Sequence, residues 1–333
     1  MRDDSCDAHA VSEGYSRGRM CSSIGMRALA TVAFATLLAS CVTPQQPSAP
    51  LQVALTIDDL PIHGPIPTGE TPASVAQGVA AALVAARVPA YGFPNGHWTV
   101  EQPETMEVLR AWRAAGLPLG NHGWNHRWLK EMSPEEFEQE LVKNDQMLQQ
   151  IGAGADWHWF RYPFLDEGES AQKRAAARAV LARHGYHIAA VTMDFGDWQW
   201  TAPYARCRAA QDSPAIGELE RTYLQAAREG IAFSRDLSRQ LYGRDIPYVV
   251  LLHDSAFEVR MLPKLINLYR ASGFRFVNLP EAEKDPAYRD QVDPSLPAEP
   301  KNLEDKASAR GIKLPQRQDF APQLAAMCPA KAG

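Results

Sequence analysis

Several things are scarce in this chain of 333 residues, and each shortage narrows what it can be. It has no long run of one charge sign and no basic face, and its net charge is −5. A protein that neutralises phosphates needs clustered lysine and arginine, so nucleic acid is not an expected partner. Its longest apolar stretch near the start, Ala28–Leu38, is much shorter than the roughly 20 residues that span a bilayer. It has no internal repeat and, within the main domain, no low-complexity segment. From Leu51 onward it is long enough for one large core of about 240 residues. Cysteine is rare, with five in all.

The N-terminal residues are set aside before the fold is considered. Arg27 followed by Ala28–Leu38 reads as a secretory signal peptide. It ends in Leu38-Ala39-Ser40-Cys41, which is similar to the bacterial lipobox and implies lipidation of Cys41 as the mature N-terminus. Residues 1–25 are atypical for an n-region, so Met20 and Met26 are both candidate starts. The expected organisation is a lipoprotein signal peptide at 1–40, a proline-rich tether at 41–50, the main domain at 51–288, and a polar C-terminal tail at 289–333 packed on it. With Cys41 lipidated, Cys207 and Cys328 remain as a pair in an oxidising compartment, and a disulfide between them is expected. The expected location is the periplasmic side of a bacterial envelope. Val42 rather than aspartate follows the lipidated cysteine, which favours the outer membrane. A monomer is expected.

Within the domain, short β-rich runs alternate with amphipathic helical stretches. The runs lie at Val53–Ile57, Pro89–Phe93, Leu117–Asn121, Trp159–Tyr162, His187–Thr192, Tyr248–Leu252 and Phe274–Val277. Helices are predicted near Ser74–Ala86, Pro103–Ala115, Pro134–Ile151, Glu169–His184, Ile216–Tyr242 and Met261–Ser272. Gly116, Gly185 and Gly273 stand where a helix ends in a left-handed residue. Such alternation predicts an α/β fold with a parallel sheet. Seven strands suit a single distorted (β/α)7 barrel, whose reactive residues would gather at the C-terminal ends of the strands.

Five polar motifs fall at those ends. They are Thr56-Ile57-Asp58-Asp59, His122-Gly123-Trp124-Asn125-His126, Phe160-Arg161-Tyr162-Pro163-Phe164, Asp194-Phe195-Gly196-Asp197-Trp198 and Leu251-Leu252-His253-Asp254. Adjacent carboxylates leaving a strand point in different directions, so one can face a metal and the other the substrate. His122 and His126 are spaced so that one helical turn would bring both rings to one side. Two imidazoles and a carboxylate suit zinc or a similar divalent ion better than magnesium. His253 ends the most apolar run, where a ring that can be charged needs a partner. Arg161 at its strand end is expected to pair with a carboxylate. His63, His97, His158, His184 and His187 are expected on the surface or in packing, with cleft lining as the alternative for His63 and His97 near the rim. Trp98, Trp124, Trp128, Trp198 and Trp200 lie near the motif loops; Trp124, Trp198 and Trp200 are the expected substrate-lining set.

In order and spacing these motifs resemble those of the polysaccharide deacetylases, the NodB homology domain of carbohydrate-esterase family four, over about Leu51 to Pro280. The resemblance implies that Asp58 is the general base and that Asp59, His122 and His126 hold Zn2+, or Co2+ or Ni2+. It implies that Arg161 orients the base and that the Phe164 backbone N–H helps hold the oxyanion. Asp197, with Trp198, would support the acid His253. The implied reaction is hydrolysis of acetyl groups from N- or O-acetylated glycan. Two departures concern loop shape. Leu60-Pro61 follows the aspartates where the family has glycine, and Gly123 and Arg127 follow the two metal histidines. Two alternatives stand beside this reading: an inactive glycan-binding lipoprotein, and a same-fold hydrolase of a small non-sugar amide.

Overall fold

Strand β1 (Leu51–Leu60) is buried on both faces from Val53 onward, as an apolar run in the middle of a parallel sheet must be. The computed structural model describes residues 50–152, 157–297 and 302–329. The candidate lipidation residue Cys41 and the signal sequence lie outside these described residues. After β1 come β2 (Ala90–Pro94), β3 (Trp159–Phe160), β4 (His187–Ile188), β5 (Tyr248–His253) and β6 (Phe274–Phe276). The connecting helices are α1 (Pro72–Ala86), α2 (Trp98–Glu101), α3 (Thr105–Ala114), α4 (Pro134–Gln150), α5 (Ala171–Arg183), α6 (Thr201–Ala209), α7 (Ser213–Tyr242) and α8 (Ala256–Ala271). Local chemistry sets their starts. Thr71 with Ser74, and Ser133 with Glu136, form capping boxes before α1 and α4, each with proline in the first turn.

β1 pairs in parallel with β2 and with β5, and its first three residues also pair with β6. The β1–β5 register sets Asp58 directly beside His253. The pairing of β1 with β2 slips between Asp58 and Leu60, and Asp59 at the slip has φ 64°. The two carboxylates therefore diverge, one staying in the ladder and one leaving it.

A closed seven-stranded barrel is not what the hydrogen bonds build. They form a four-stranded parallel sheet and a separate two-stranded sheet of β3 and β4. Isolated bridges occur at Gly92–Leu119, Asn121–Phe160 and Met193–Val250. The run Leu117–Asn121 makes only such bridges and no full strand. It is squeezed at Gly120, where a Cβ would stand 2.6 Å from the Trp159 carbonyl oxygen and 2.5 Å from the Phe93 ring. The run at His187–Thr192 keeps two strand residues, and past them side chains take three of its backbone groups. The Ala189 and Ala190 carbonyls accept from Arg161, at 2.9 and 3.4 Å, and the Ala190 N–H donates to Glu283 at 2.6 Å.

The C-terminal part carries four short helices, α9 (Leu279–Ala282), α10 (Arg289–Val292), α11 (Leu303–Ala309) and α12 (Ala321–Ala326). Leu303, Ala307, Phe320 and Leu324 bury themselves in the main core. Cys207 on α6 and Cys328 are joined by a disulfide spanning 121 residues of chain. In the chain-entropy account a loop of that length is worth about 4–5 kcal/mol. Among the described residues no helix is long and apolar enough to cross a membrane.

Candidate active site

Asp59, His122 and His126 meet at one point of the cleft. The His122 and His126 Nε2 atoms lie 3.3 and 3.2 Å from Asp59 Oδ1. The two histidines do not share a helical turn, as their spacing suggested. They sit on an irregular loop in which Gly123 has φ 73° and His126 φ 51°, and these two left-handed residues turn the chain back on itself. His122 Nδ1 is 2.8 Å from the Arg161 carbonyl oxygen. With a proton on that nitrogen it donates there, which leaves Nε2 as the lone pair facing Asp59. Asp59 Oδ1 is buried without a hydrogen-bond partner. An orphaned buried carboxylate oxygen between two imidazole nitrogens costs free energy unless a cation completes it. The donor set fits zinc or another divalent transition ion.

The other Asp59 oxygen is occupied by a residue expected to be on the surface. His63 Nδ1 lies 2.7 Å from Asp59 Oδ2, and its ring is 4.6 Å from that of His253. His63 thus belongs to the site. The signal for it was its place four residues after Asp59, at the far side of the Leu60-Pro61 departure. Burial alone would raise Asp59, but the His122 and His63 side chains beside it and the charges of His126 and His253 hold it well below the usual carboxylate range. Burial pushes His126 down to about 4, further than the Asp59 charge can raise it.

On one side of this corner lies Asp58, fully buried with Arg161. The guanidinium Nη1 donates to both Asp58 oxygens at 3.1 and 3.0 Å, and Nε donates to the Ala189 carbonyl. Nη2 donates to Thr56 Oγ1 at 3.2 Å, so the arginine is fixed from both ends. On the other side, His253 Nδ1 lies 2.9 Å from Asp197 Oδ1, while the His253 backbone N–H donates to Oδ2 at 2.7 Å. Burial would lower His253, but Asp197 outweighs it, with Asp59 and Asp58 adding, and the ring is raised to about 10. Asp194 instead accepts from the Gly196 N–H, 2.7 Å away.

Aromatic rings wall the cleft, though not the set expected. Trp198 is half exposed and lines it. Trp200 is fully buried and donates to Thr222 at 3.0 Å, so it is a core residue. Trp124 is 8% exposed and packed over Gly96, where a Cβ would stand 2.3 Å from its ring. Trp128 takes its place in the cleft, stacked on Phe164 with centroids 3.9 Å apart and planes 3° from parallel. Phe164 holds φ 58°, which aims its ring at His126, 4.3 Å away. The whole cleft has a volume of about 470 Å³.

Residues 45–189 match the family model described as polysaccharide deacetylase. Over this part the chain is similar to the polysaccharide deacetylases. Among solved structures, the chain is similar to a carbohydrate-esterase family four pseudoenzyme from Bacillus anthracis. The identity is 18% over 70% of this chain and 65% of that one, with a TM-score of 0.51. It is also similar to the chitin deacetylase of the fungal pathogen Colletotrichum lindemuthianum, at 24% identity over 71% of this chain and 88% of that one, with a TM-score of 0.50. At such identities the likeness speaks for the deacetylase fold. Within the family match lie Asp58, Asp59, His122, His126, Arg161 and Phe164. His253 and Asp197 lie beyond it and join the site only through the fold.

Proposed function

We propose that this protein is a metal-dependent deacetylase of acetylated polysaccharide. The observation that carries it is the convergence of Asp59 Oδ1, orphaned and buried, with the His122 and His126 Nε2 atoms, flanked by Asp58–Arg161 and His253–Asp197. Asp59, His122 and His126 would hold the cation, Zn2+ or else Co2+ or Ni2+. When bound it would polarise an acetyl carbonyl and make water a better nucleophile. Asp58, held in place by the two hydrogen bonds from Arg161, takes the proton from the attacking water. His253, kept protonated by Asp197, gives a proton to the departing amine or alkoxide. The Phe164 N–H supports the developing oxyanion. His63 fixes the carboxylate of Asp59 so that Oδ1 faces the two imidazoles. Trp128, Phe164 and Trp198 offer apolar faces to a sugar ring.

Acetate release from N-acetylglucosamine polymers, peptidoglycan and acetylated xylan, measured with and without chelator and re-added zinc, tests the reading. Chelator-sensitive release from one of them is expected; no release from any, by protein that carries metal, would leave a binding protein instead. Retention of base, acid and metal residues together argues against that inactive reading, since a binding surface needs none of them in register. We further propose a lipid anchor on Cys41 at the periplasmic face of the outer membrane, and a monomer. Cys41→Ser should then move the protein into the soluble periplasmic fraction, and wild-type protein found wholly soluble would refute the anchor.

A further inference from the structure

Asp59 faces two sets of imidazoles. Its Oδ1 meets His122 and His126, while its Oδ2 meets His63, whose ring lies against that of His253. Asp59, His63 and His253 each bring one ligand atom within 4.8 Å of the other two, as do Asp59, His122 and His126. The backbone builds this second corner. After the slip at Asp59 the chain turns at once, with the Ile62 N–H donating to the Asp59 carbonyl at 2.8 Å. The His63 N–H then donates to the Asp254 carbonyl at 2.5 Å, which ties the loop to the end of β5 beside His253. The His63 side chain is 26% exposed and all three residues line the cleft, so an ion reaches them from solvent.

Two imidazoles and a carboxylate are again the ligands that a borderline divalent ion prefers. His253 has one nitrogen to give. Its Nδ1 lies 2.9 Å from Asp197 Oδ1, so a cation must take Nε2. Nε2 is also the atom that would hand a proton to the leaving group, so cation and proton exclude each other there. Two-metal sites hold their ions roughly 3.5–4 Å apart, a span that one carboxylate bridges through its two oxygens. The second ion shares Asp59 with the first and feels its charge, so it binds more weakly. We infer that Asp59, His63 and His253 form an inhibitory site for a second divalent transition ion, zinc above all, filled only when the ion is in excess. Its entry releases the Nε2 proton to solvent, deprives the leaving group of its donor and slows turnover. The effect on rate rests on the deacetylase reading; the binding of the ion does not.

The test starts from the full chain loaded with one equivalent of zinc. Zinc chloride is added while acetate release is followed, and bound zinc is counted by equilibrium dialysis and elemental analysis. The wild type should take up a second zinc, and its rate should fall in step, by up to about 10²–10⁴-fold, the contribution of a positioned acid. Chelator sufficient to remove only the excess should restore the rate. His63→Asn keeps a donor for Asp59 but offers no ligand nitrogen, so it should stop at one zinc, and its own rate should hold in excess zinc. His253→Ala should also stop at one zinc. A wild type that stays at one zinc, or a second zinc still bound by either variant, overturns the site while leaving the deacetylase reading intact. A second zinc that both variants lose, but that leaves the wild-type rate unchanged, overturns the inhibition. If the one-zinc protein releases no acetate, the deacetylase reading falls, and the zinc count in the three proteins alone decides the second site.

Discussion

His126 and His253 line the same cleft, both largely buried, and their imidazoles are driven in opposite directions. One is pushed down to about 4 and the other up to about 10. Burial lowers both, and His122, His253 and His63 lower His126 further, whereas at His253 the carboxylates outweigh burial. Asp197 serves His253 alone among the site's rings, gripping both its Nδ1 and its backbone N–H. Asp59 is shared among His63, His122 and His126. The dedicated anion keeps His253 charged, as a proton donor requires; the shared anion does not hold His126 up against burial and its neighbouring rings, which leaves it neutral, as a ligand requires. One cleft thus holds both kinds of histidine.

The largest expected effect lies on the ligand side. His126→Ala should lose both bound metal and activity while the fold survives, because the ring sits on a rim loop and not in the core. Elemental analysis finding no metal in active wild-type protein would remove the ligand half of the comparison altogether. Asp58→Asn comes next. Metal content should be unchanged and turnover should fall by about 10²–10⁴, the usual contribution of a positioned base. A variant near full rate would mean that Asp58 only balances the Arg161 charge.

The carriers of this chemistry were legible from the sequence to the extent that each closes a strong local signal. Asp58 and His253 end apolar runs, and the β1–β5 register that joins them follows from those runs being the most continuous in the chain. The closed barrel was not legible in this way. The runs at Leu117–Asn121 and His187–Thr192 have strand composition, but whether their backbone pairs with strands or with Arg161 and Glu283 depends on contacts from distant segments. The helical turn for His122 and His126 failed for a related reason, since a four-residue spacing says nothing of a loop turned by Gly123. Tryptophan placement failed at Trp124 and Trp200 because nearness to a motif does not tell which side of the loop a ring takes. His63 was missed because its role depends on the backbone slip at Asp59, which composition does not reveal.

His63 offers a smaller test of the shared carboxylate. His63→Ala should weaken metal affinity by about 10–100-fold, the range found when a partner of a ligand is removed. His63→Asn keeps a donor close to the position of Nδ1 and should recover much of that loss. Equal affinities in wild type and His63→Ala would show that Asp59 is oriented by the fold alone.

The smallest rate effect at neutral pH, and the most direct probe of the comparison, is expected for Asp197→Asn. His253 acts as an acid, so activity should fall on the basic side as its ring loses the proton. With Asp197 in place the ring is raised to about 10, and a dication near Asp59 would bring the basic limb somewhat below that value. Neutralising Asp197 removes the largest raising influence and leaves burial, which acts downward. If the ring fell only to the ordinary ~6.5, about a quarter of it would still be protonated at pH 7, and turnover there would drop about fourfold. Further lowering by burial makes the drop larger. On the acid side of the variant ring's own titration the two proteins should converge, because the ring is then charged in both, while metal content stays the same throughout. The measurement is a full pH–rate profile of both proteins. A basic limb that does not move would show that the anion holding His253 charged is not Asp197, and the contrast between a dedicated and a shared carboxylate would fail at its better-defined end.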